Sequence, residues 1–169
     1  MIVAWRIDKQ RHAATGFTGE GARLYGGRWN HRGTAIVYTS ESLALAALEK
    51  LVHLQSAARR YRYIATPVEI PVRVVRTLSL KTLPRDWCEH RALGVTRDIG
   101  SRWAAQQGSV VLRVPSVLIP GLFNYLINPL HKNFKRLSIG AGRPFSFDPR
   151  LWKWPPPASS VRFLLSLPS

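Results

Sequence analysis

The sequence predicts a single α+β domain, and three observations lead there. Its 169 residues fit one domain of ordinary size. Hydrophobic residues make up 46% of the chain, enough for a buried core and too many for a disordered segment. Short strand-like runs surround one strongly apolar helical stretch, and no internal repeat divides them.

Taken in order, residues 2–7 read as a first strand. A glycine-rich stretch follows over 16–33, GFTGEGARLYGGRWNHRG, whose glycines allow tight turns and close backbone approach to a ligand. With its arginines and aromatics it reads as a binding loop. Residues 35–39, AIVYT, are β-branched and aromatic and predict a strand. Ser40 is placed as the N-cap of a helix over 41–55, with Glu41 in the first turn, where the helix dipole favours an acid. Residues 43–48 are apolar on nearly every side, so this helix is expected to be central.

Two strand-like runs, 61–70 and 72–80, flank Pro71. The more polar stretch 84–107 suits helices and loops. Residues 109–114, SVVLRV, predict a strand ending at Pro115. Asn124, Asn128 and Pro129 make 121–131 read as an ordered loop, and 145–147 as a late strand. The domain is expected over 1–154. Three consecutive prolines then open a Pro/Ser-rich tail over 155–169, expected to be extended and then frayed.

Composition narrows the function. Cys88 is the single cysteine, so neither an internal disulfide nor a thiolate metal cluster can form. No run approaches the roughly 20 apolar residues of a membrane span, and Arg6 interrupts the N-terminal apolar run that a signal peptide would need. A cytoplasmic protein without membrane contact is expected. Lys and Arg total 25 against 9 acids, a formal net charge of +16. Such a balance suits a polyanionic partner. The charge is scattered apart from Arg59, Arg60 and Arg62, which makes direct nucleic-acid binding a secondary role.

Motif chemistry removes further classes. The chain has no phosphate-binding P-loop, no dinucleotide fingerprint between strand and helix, no zinc spacing among its histidines and no serine-hydrolase elbow. What remains is a set of Arg, Tyr, Glu and Ser. Glu49 is one acid within the apolar segment SLALAALEKLVHL, where an unpaired buried carboxylate would be costly. The local pattern alone fits a solvent-facing Glu paired with His53 one turn later at least as well. Arg28, in GGRWN, offers a fork suited to phosphate oxygens or is one more loop arginine. Tyr38 could stack on a flat ring or fill the core, and Ser116 alone is a turn residue.

Their combination is more specific. GGRWN, GTAIVYTSESLALAALEKLVH, VVLRVPSVLIPGLFNYLINPLH and PFSFDPRLW, in that order over residues 3–152, closely resemble the RES family. The resemblance implies a fold similar to ADP-ribosyltransferases of the diphtheria-toxin type. It also implies a toxin that depletes NAD⁺ by hydrolysis or phosphorolysis and arrests growth, some members being reported to modify a target protein. The implied partner is an Xre-type helix-turn-helix antitoxin that covers the active site in a hetero-oligomer. By matching blocks, Arg28, Tyr38 and Glu49 fall on the family's active-site positions, with Arg6, Ser116 and Asn124 on further NAD⁺-binding ones. Glu49 would stabilise the cationic sugar, Arg28 and Arg6 would hold the pyrophosphate, Tyr38 would stack on nicotinamide and Ser116 would orient substrate or Glu49. NAD⁺ is then a substrate, with no separate cofactor and no metal. The sequence departs from the family at His131, which is followed by Lys132 rather than proline. A basic nucleic-acid-binding protein and a protein ADP-ribosyltransferase are the alternative readings.

Overall fold

Eight strands hydrogen-bond into one sheet in the computed structural model, which describes residues 1–54, 61–89 and 93–152. They are β1 (Ile2–Lys9), β2 (Val37–Ser40), β3 (Tyr63–Ile70), β4 (Val75–Thr77), β5 (Val111–Pro115), β6 (Phe123–Ile127), β7 (Ser138–Ile139) and β8 (Arg143–Phe145). The order across the sheet is β4-β5-β6-β2-β1-β3-β7, with β8 also on β3. All pairs are antiparallel except β4 with β5. Among the described residues, α1 (Glu20–Tyr25), α2 (Leu43–Leu51) and α3 (Leu93–Gln106) accompany it. This is the α+β class that the sequence predicts.

Strand alternation sorts the core. Ala4, Val37, Val68, Ile70, Val111, Tyr125 and Ile127 fill one face. On the other, Leu112, Val114 and Leu126 pack against Trp103 and Ala104 of α3 and against Trp29. Ile7, Tyr63 and Ala65 meet Ala46 of α2 and Phe147, with Leu43 and Leu51 alongside. The two longer helices thus cover one side of the sheet, and the ends of β2, β5 and β6 open between them.

Several boundaries differ from the sequence reading. Ser40 is not the helix cap. It ends β2, and its hydroxyl donates to the Asn124 side chain. Ser42, extended at φ −141° and ψ 157°, caps α2 instead by accepting from the Leu45 amide. Glu41 therefore lies outside the helix, where its Oε2 accepts from the Phe123 amide. Residues 123–127 form a strand rather than part of a loop, because pairing on both edges with β2 and β5 outweighs the turn preference of Asn124. The loop over 16–33 contains α1. After Pro71 the chain makes a 3₁₀ turn before the short β4, so 72–80 is not one strand. The late strand lies at Arg143–Phe145, two residues early, where its register on Tyr63–Ala65 places it. Among the described residues of 84–107, helix α3 spans 14 residues. Gln55, the expected end of the long helix, and the tail over 155–169 lie outside the described residues.

Candidate active site

Glu49 lies in the last turns of α2, half-buried, and its polar contacts reach across to the sheet. Its Oε1 accepts from Ser116 Oγ at 3.0 Å and from Asn124 Nδ2 at 2.6 Å. These bonds, rather than one to His53, account for an acid in an apolar helix. Ser116 follows β5 and is buried. Its hydroxyl oxygen also accepts from the Leu118 and Ile119 amides, at 3.1 and 3.3 Å, which aims its single proton at the carboxylate.

Asn124 stands directly opposite Ser40 in the β2–β6 register. Ser40, 4% exposed, donates to Asn124 Oδ1 at 2.7 Å. The amide is thereby oriented: its oxygen faces a hydroxyl and its NH₂ faces Glu49. Both recorded bonds to Glu49 fall on Oε1, and among the described residues none is made to Oε2. One carboxylate oxygen is held and the other is free for a ligand.

The second part of the site is the loop after α1. Gly26, at φ 72°, ends that helix in the left-handed region. At Gly27 a Cβ would stand 2.5 Å from the Tyr38 hydroxyl, so only glycine lets the loop close over that ring. Tyr38 accepts from the Trp29 amide at 3.0 Å and donates to Asn30 Oδ1 at 2.7 Å. Asn30 is fully buried and its Nδ2 reaches the carbonyls of Ala22, His31 and Thr34. Burial raises the Tyr38 phenol far above its ordinary value, with the Trp29 amide and then Arg97 and Arg28 acting in the opposite direction. The hydroxyl is spent on the protein, and the ring is what Tyr38 can offer.

Helix α3 holds the same loop from behind. Arg97 Nε donates to the Gly27 carbonyl at 2.9 Å, Ser101 accepts from the His31 amide at 2.9 Å, and Gly100 lies against the Trp29 backbone with no room for a Cβ. Arg28 extends between these supports. Its Nη1 donates to the Trp87 carbonyl and its Nη2 to the Cys88 carbonyl, both at 3.0 Å, while the Trp87 ring lies 6.1 Å from that of Trp29. Partial burial lowers the Arg28 guanidinium from its ordinary value, and the nearby Cys88 and Glu49 oppose that shift.

Arg6 is placed differently. Its Nε and Nη2 bind both oxygens of Asp8 at 2.7 Å, and its Nη1 donates to the Tyr38 carbonyl at 3.0 Å. Alternation along β1 sets Arg6 on the face of Ala4, opposite Trp5, whose register partner is Ser40. The structure thus brings Glu49, Ser116 and Asn124 into one cluster and places Tyr38 with Arg28 in a second. Arg6 reaches the second only through the Tyr38 backbone carbonyl. The sequence reading singles out neither Asn30 nor Arg97, and Ser40 only as a helix cap. Asn30 lies inside the GGRWN block, where Arg28 draws the attention. Arg97 sits in a polar stretch without periodicity.

The held carboxylate and the glycine-bounded loop that carries arginine and tyrosine form the candidate site of this single α+β domain. The family follows from the comparisons. Residues 3–148 match the model of the RES domain, and the chain belongs to the RES-domain toxin family. It is 40% identical over 151 residues to a protein of Yersinia enterocolitica named Toxin Res, covering 89% of this chain and 99% of that one. A Sphingobium protein named Prs ADP-ribosylating toxin is 39% identical, covering 87% and 94%. The fold matches a chain of the crystal structure of the M. tuberculosis MbcT-MbcA toxin-antitoxin complex, with a TM-score of 0.72 at 17% identity over 89% of this chain and 86% of that one. No helix among the described residues is long and apolar enough to cross a membrane.

Proposed function

We propose that this protein is the toxin of a toxin–antitoxin pair and that it breaks the nicotinamide–ribose bond of NAD⁺. The observation that carries the reading is Glu49, a carboxylate fixed through Oε1 by Ser116 and Asn124 with Oε2 open. Departure of neutral nicotinamide leaves positive charge on the ribose, as in other glycosyl transfers. A preorganised carboxylate stabilises that charge without reorganising during the reaction. Water or phosphate then bonds to the anomeric carbon and gives up a proton, which Glu49 is placed to receive or direct.

Arg28 supplies the binding half. A guanidinium has five N–H groups, and two of those on Arg28 are engaged with the chain, which leaves three for pyrophosphate oxygens. Tyr38 offers its ring to nicotinamide. Arg6, countered by Asp8, fixes β1 to the Tyr38 backbone rather than offering a free fork. NAD⁺ is consumed as substrate, and no metal is expected to take part. An Xre-type antitoxin is the expected partner, and cytoplasmic NAD⁺ is the expected target.

The relative named for ADP-ribosylation favours a second reading, transfer of ADP-ribose to a protein. Both are tested by incubating the purified, antitoxin-free chain with NAD⁺ labelled on the adenosine half, with and without phosphate. Free ADP-ribose indicates hydrolysis, its 1-phosphate phosphorolysis, and label retained on added lysate protein transfer. No nicotinamide release from folded protein overturns the enzyme reading. Loss of turnover with a chelator, restored by one metal, overturns the metal-free part.

A further inference from the structure

The reading above leaves the basic run RRYR at 59–62 and the net charge of +16 without a role. We propose that the cleft between the end of β1 and the start of β3, lined by Lys9, Gln10, Arg11, Tyr61 and Arg62, binds the phosphate backbone of a nucleic acid. The cleft has a volume of about 400 Å³. Its walls are tied together by the Gln10 amide, which donates to the Arg62 carbonyl at 2.8 Å. Lys9 Nζ stands 3.7 Å from the centre of the Tyr61 ring, and the Arg11 guanidinium carbon 5.5 Å from it. The ring therefore lies against two cations at once.

These cations lack countercharge. Lys9, Arg11 and Arg62 make no ion pair with an acid among the described residues. Asp8, the one acid before Glu20, has both oxygens on Arg6. No Asp or Glu occurs in the sequence between Glu49 and Glu69. The neighbouring Lys50 reports the same crowding: burial lowers its ammonium from the ordinary value, Asp8 opposes this, and Arg6 and Lys9 push it further down.

The chemistry of the cleft selects the ligand. A protein partner would need an apolar anchor at the centre of the contact. Here the one aromatic is already engaged by Lys9 and Arg11. Three uncompensated cations along an open cleft match successive phosphates, whose condensed counterions are released on binding. The cleft shares no lining residue with the Glu49 cluster or the Arg28 loop, so the proposal stands independently of NAD⁺ cleavage.

The test is fluorescence anisotropy of the full chain with labelled single-stranded RNA and labelled duplex DNA across a salt series. Lys9→Gln/Arg11→Gln/Arg62→Gln is compared with Lys81→Gln/Lys132→Gln/Lys135→Gln, which removes the same charge from other exposed positions. Affinity should fall roughly tenfold or more for the cleft variant, and its log–log salt slope should shrink by about 2–3, as for three lost phosphate contacts. The control variant should shift far less, and Lys9→Arg should bind as the wild type does. Equal losses in the two triple variants would show net charge without a site, and overturn the proposal. So would absence of binding by the wild type, or binding by the cleft variant at full strength. Thermal melts of each variant, and NAD⁺ turnover of the cleft variant, should match the parent.

Discussion

The Glu49 cluster and the Arg28 loop face one ligand in the proposed reaction, yet they are held in different ways. At Glu49, donors from the end of β5 and from β6 converge on one oxygen of a helical carboxylate, and Ser40 fixes the amide that supplies one of them. At Arg28, the loop is fixed by buried Asn30 and by α3, but the guanidinium points outward onto carbonyls of its own chain. The first region is preorganised by strand register. The second is a positioned loop whose charged end rests on two backbone carbonyls. A group whose charge must be right in the transition state is set in regular structure, and a group that needs only to bind is set on a loop.

The largest effect should come from Glu49→Gln. Glutamine can still accept from Ser116 and Asn124 through its own Oε1, so the melt should stay close to that of the wild type. Turnover should fall roughly 10²–10³-fold, about 3–4 kcal/mol of lost charge stabilisation. Near-normal nicotinamide release from the folded variant would reduce the cluster to a structural contact and end the comparison.

Asn124→Ala and Arg28→Ala should then separate the two regions kinetically. Hydrogen bonds to a charged group contribute about 1.5–3 kcal/mol, which corresponds to roughly 10–100-fold. For Asn124→Ala that loss should fall on kcat, with NAD⁺ affinity little changed. For Arg28→Ala it should fall on affinity, measured by calorimetry on a Glu49→Gln background. The reverse assignment, or unchanged affinity without Arg28, would show that the phosphates lie elsewhere.

How much of this was legible in the sequence depends on which forces set each feature. The α+β class, the apolar helix and the strand ending at Pro115 all follow from local periodicity and composition. The N-cap did not, because TSES offers two serines and only the pairing of Ser40 with Asn124 decides between them. The strand at 123–127 was hidden because Asn124 carries turn preference locally, while its place is set by neighbours on both sides. Glu49 stood out as one acid in an apolar run, but its partners, 67 and 75 residues away, could come only from register. Arg97 and Gly100 gave no signal, since their role is to support a loop some 70 residues earlier in the chain.

Ser40→Ala should have a smaller effect. It removes a neutral hydrogen bond about 1 ± 0.5 kcal/mol in net strength, so kcat should drop only about 3–10-fold. The Asn124 amide keeps its bond to Glu49 but loses the contact that sets its orientation. An unchanged kcat would mean that β6 backbone pairing alone positions Asn124, and Ser40 would drop out of the cluster.

The smallest effect concerns the Tyr38 hydroxyl and should leave no trace over the ordinary pH range. An unfolded chain ionises tyrosine near about pH 10. Burial raises Tyr38 above that in the folded protein, so folding favours its protonated form. The stability linked to this group is fully present below about pH 10 and is lost as pH rises from there towards the folded-state value. The phenolate absorbance of the wild type and of Tyr38→Phe should therefore superimpose through the ordinary tyrosine range and part only as the chain unfolds. Tyr63, also raised by burial, is common to both curves and cancels. A Tyr38 component that titrates near about pH 10 would mean that solvent reaches its hydroxyl. Gly27 would then not close over the ring, Asn30 would not be tied to β2, and the Arg28 loop would be no better positioned than its glycines allow.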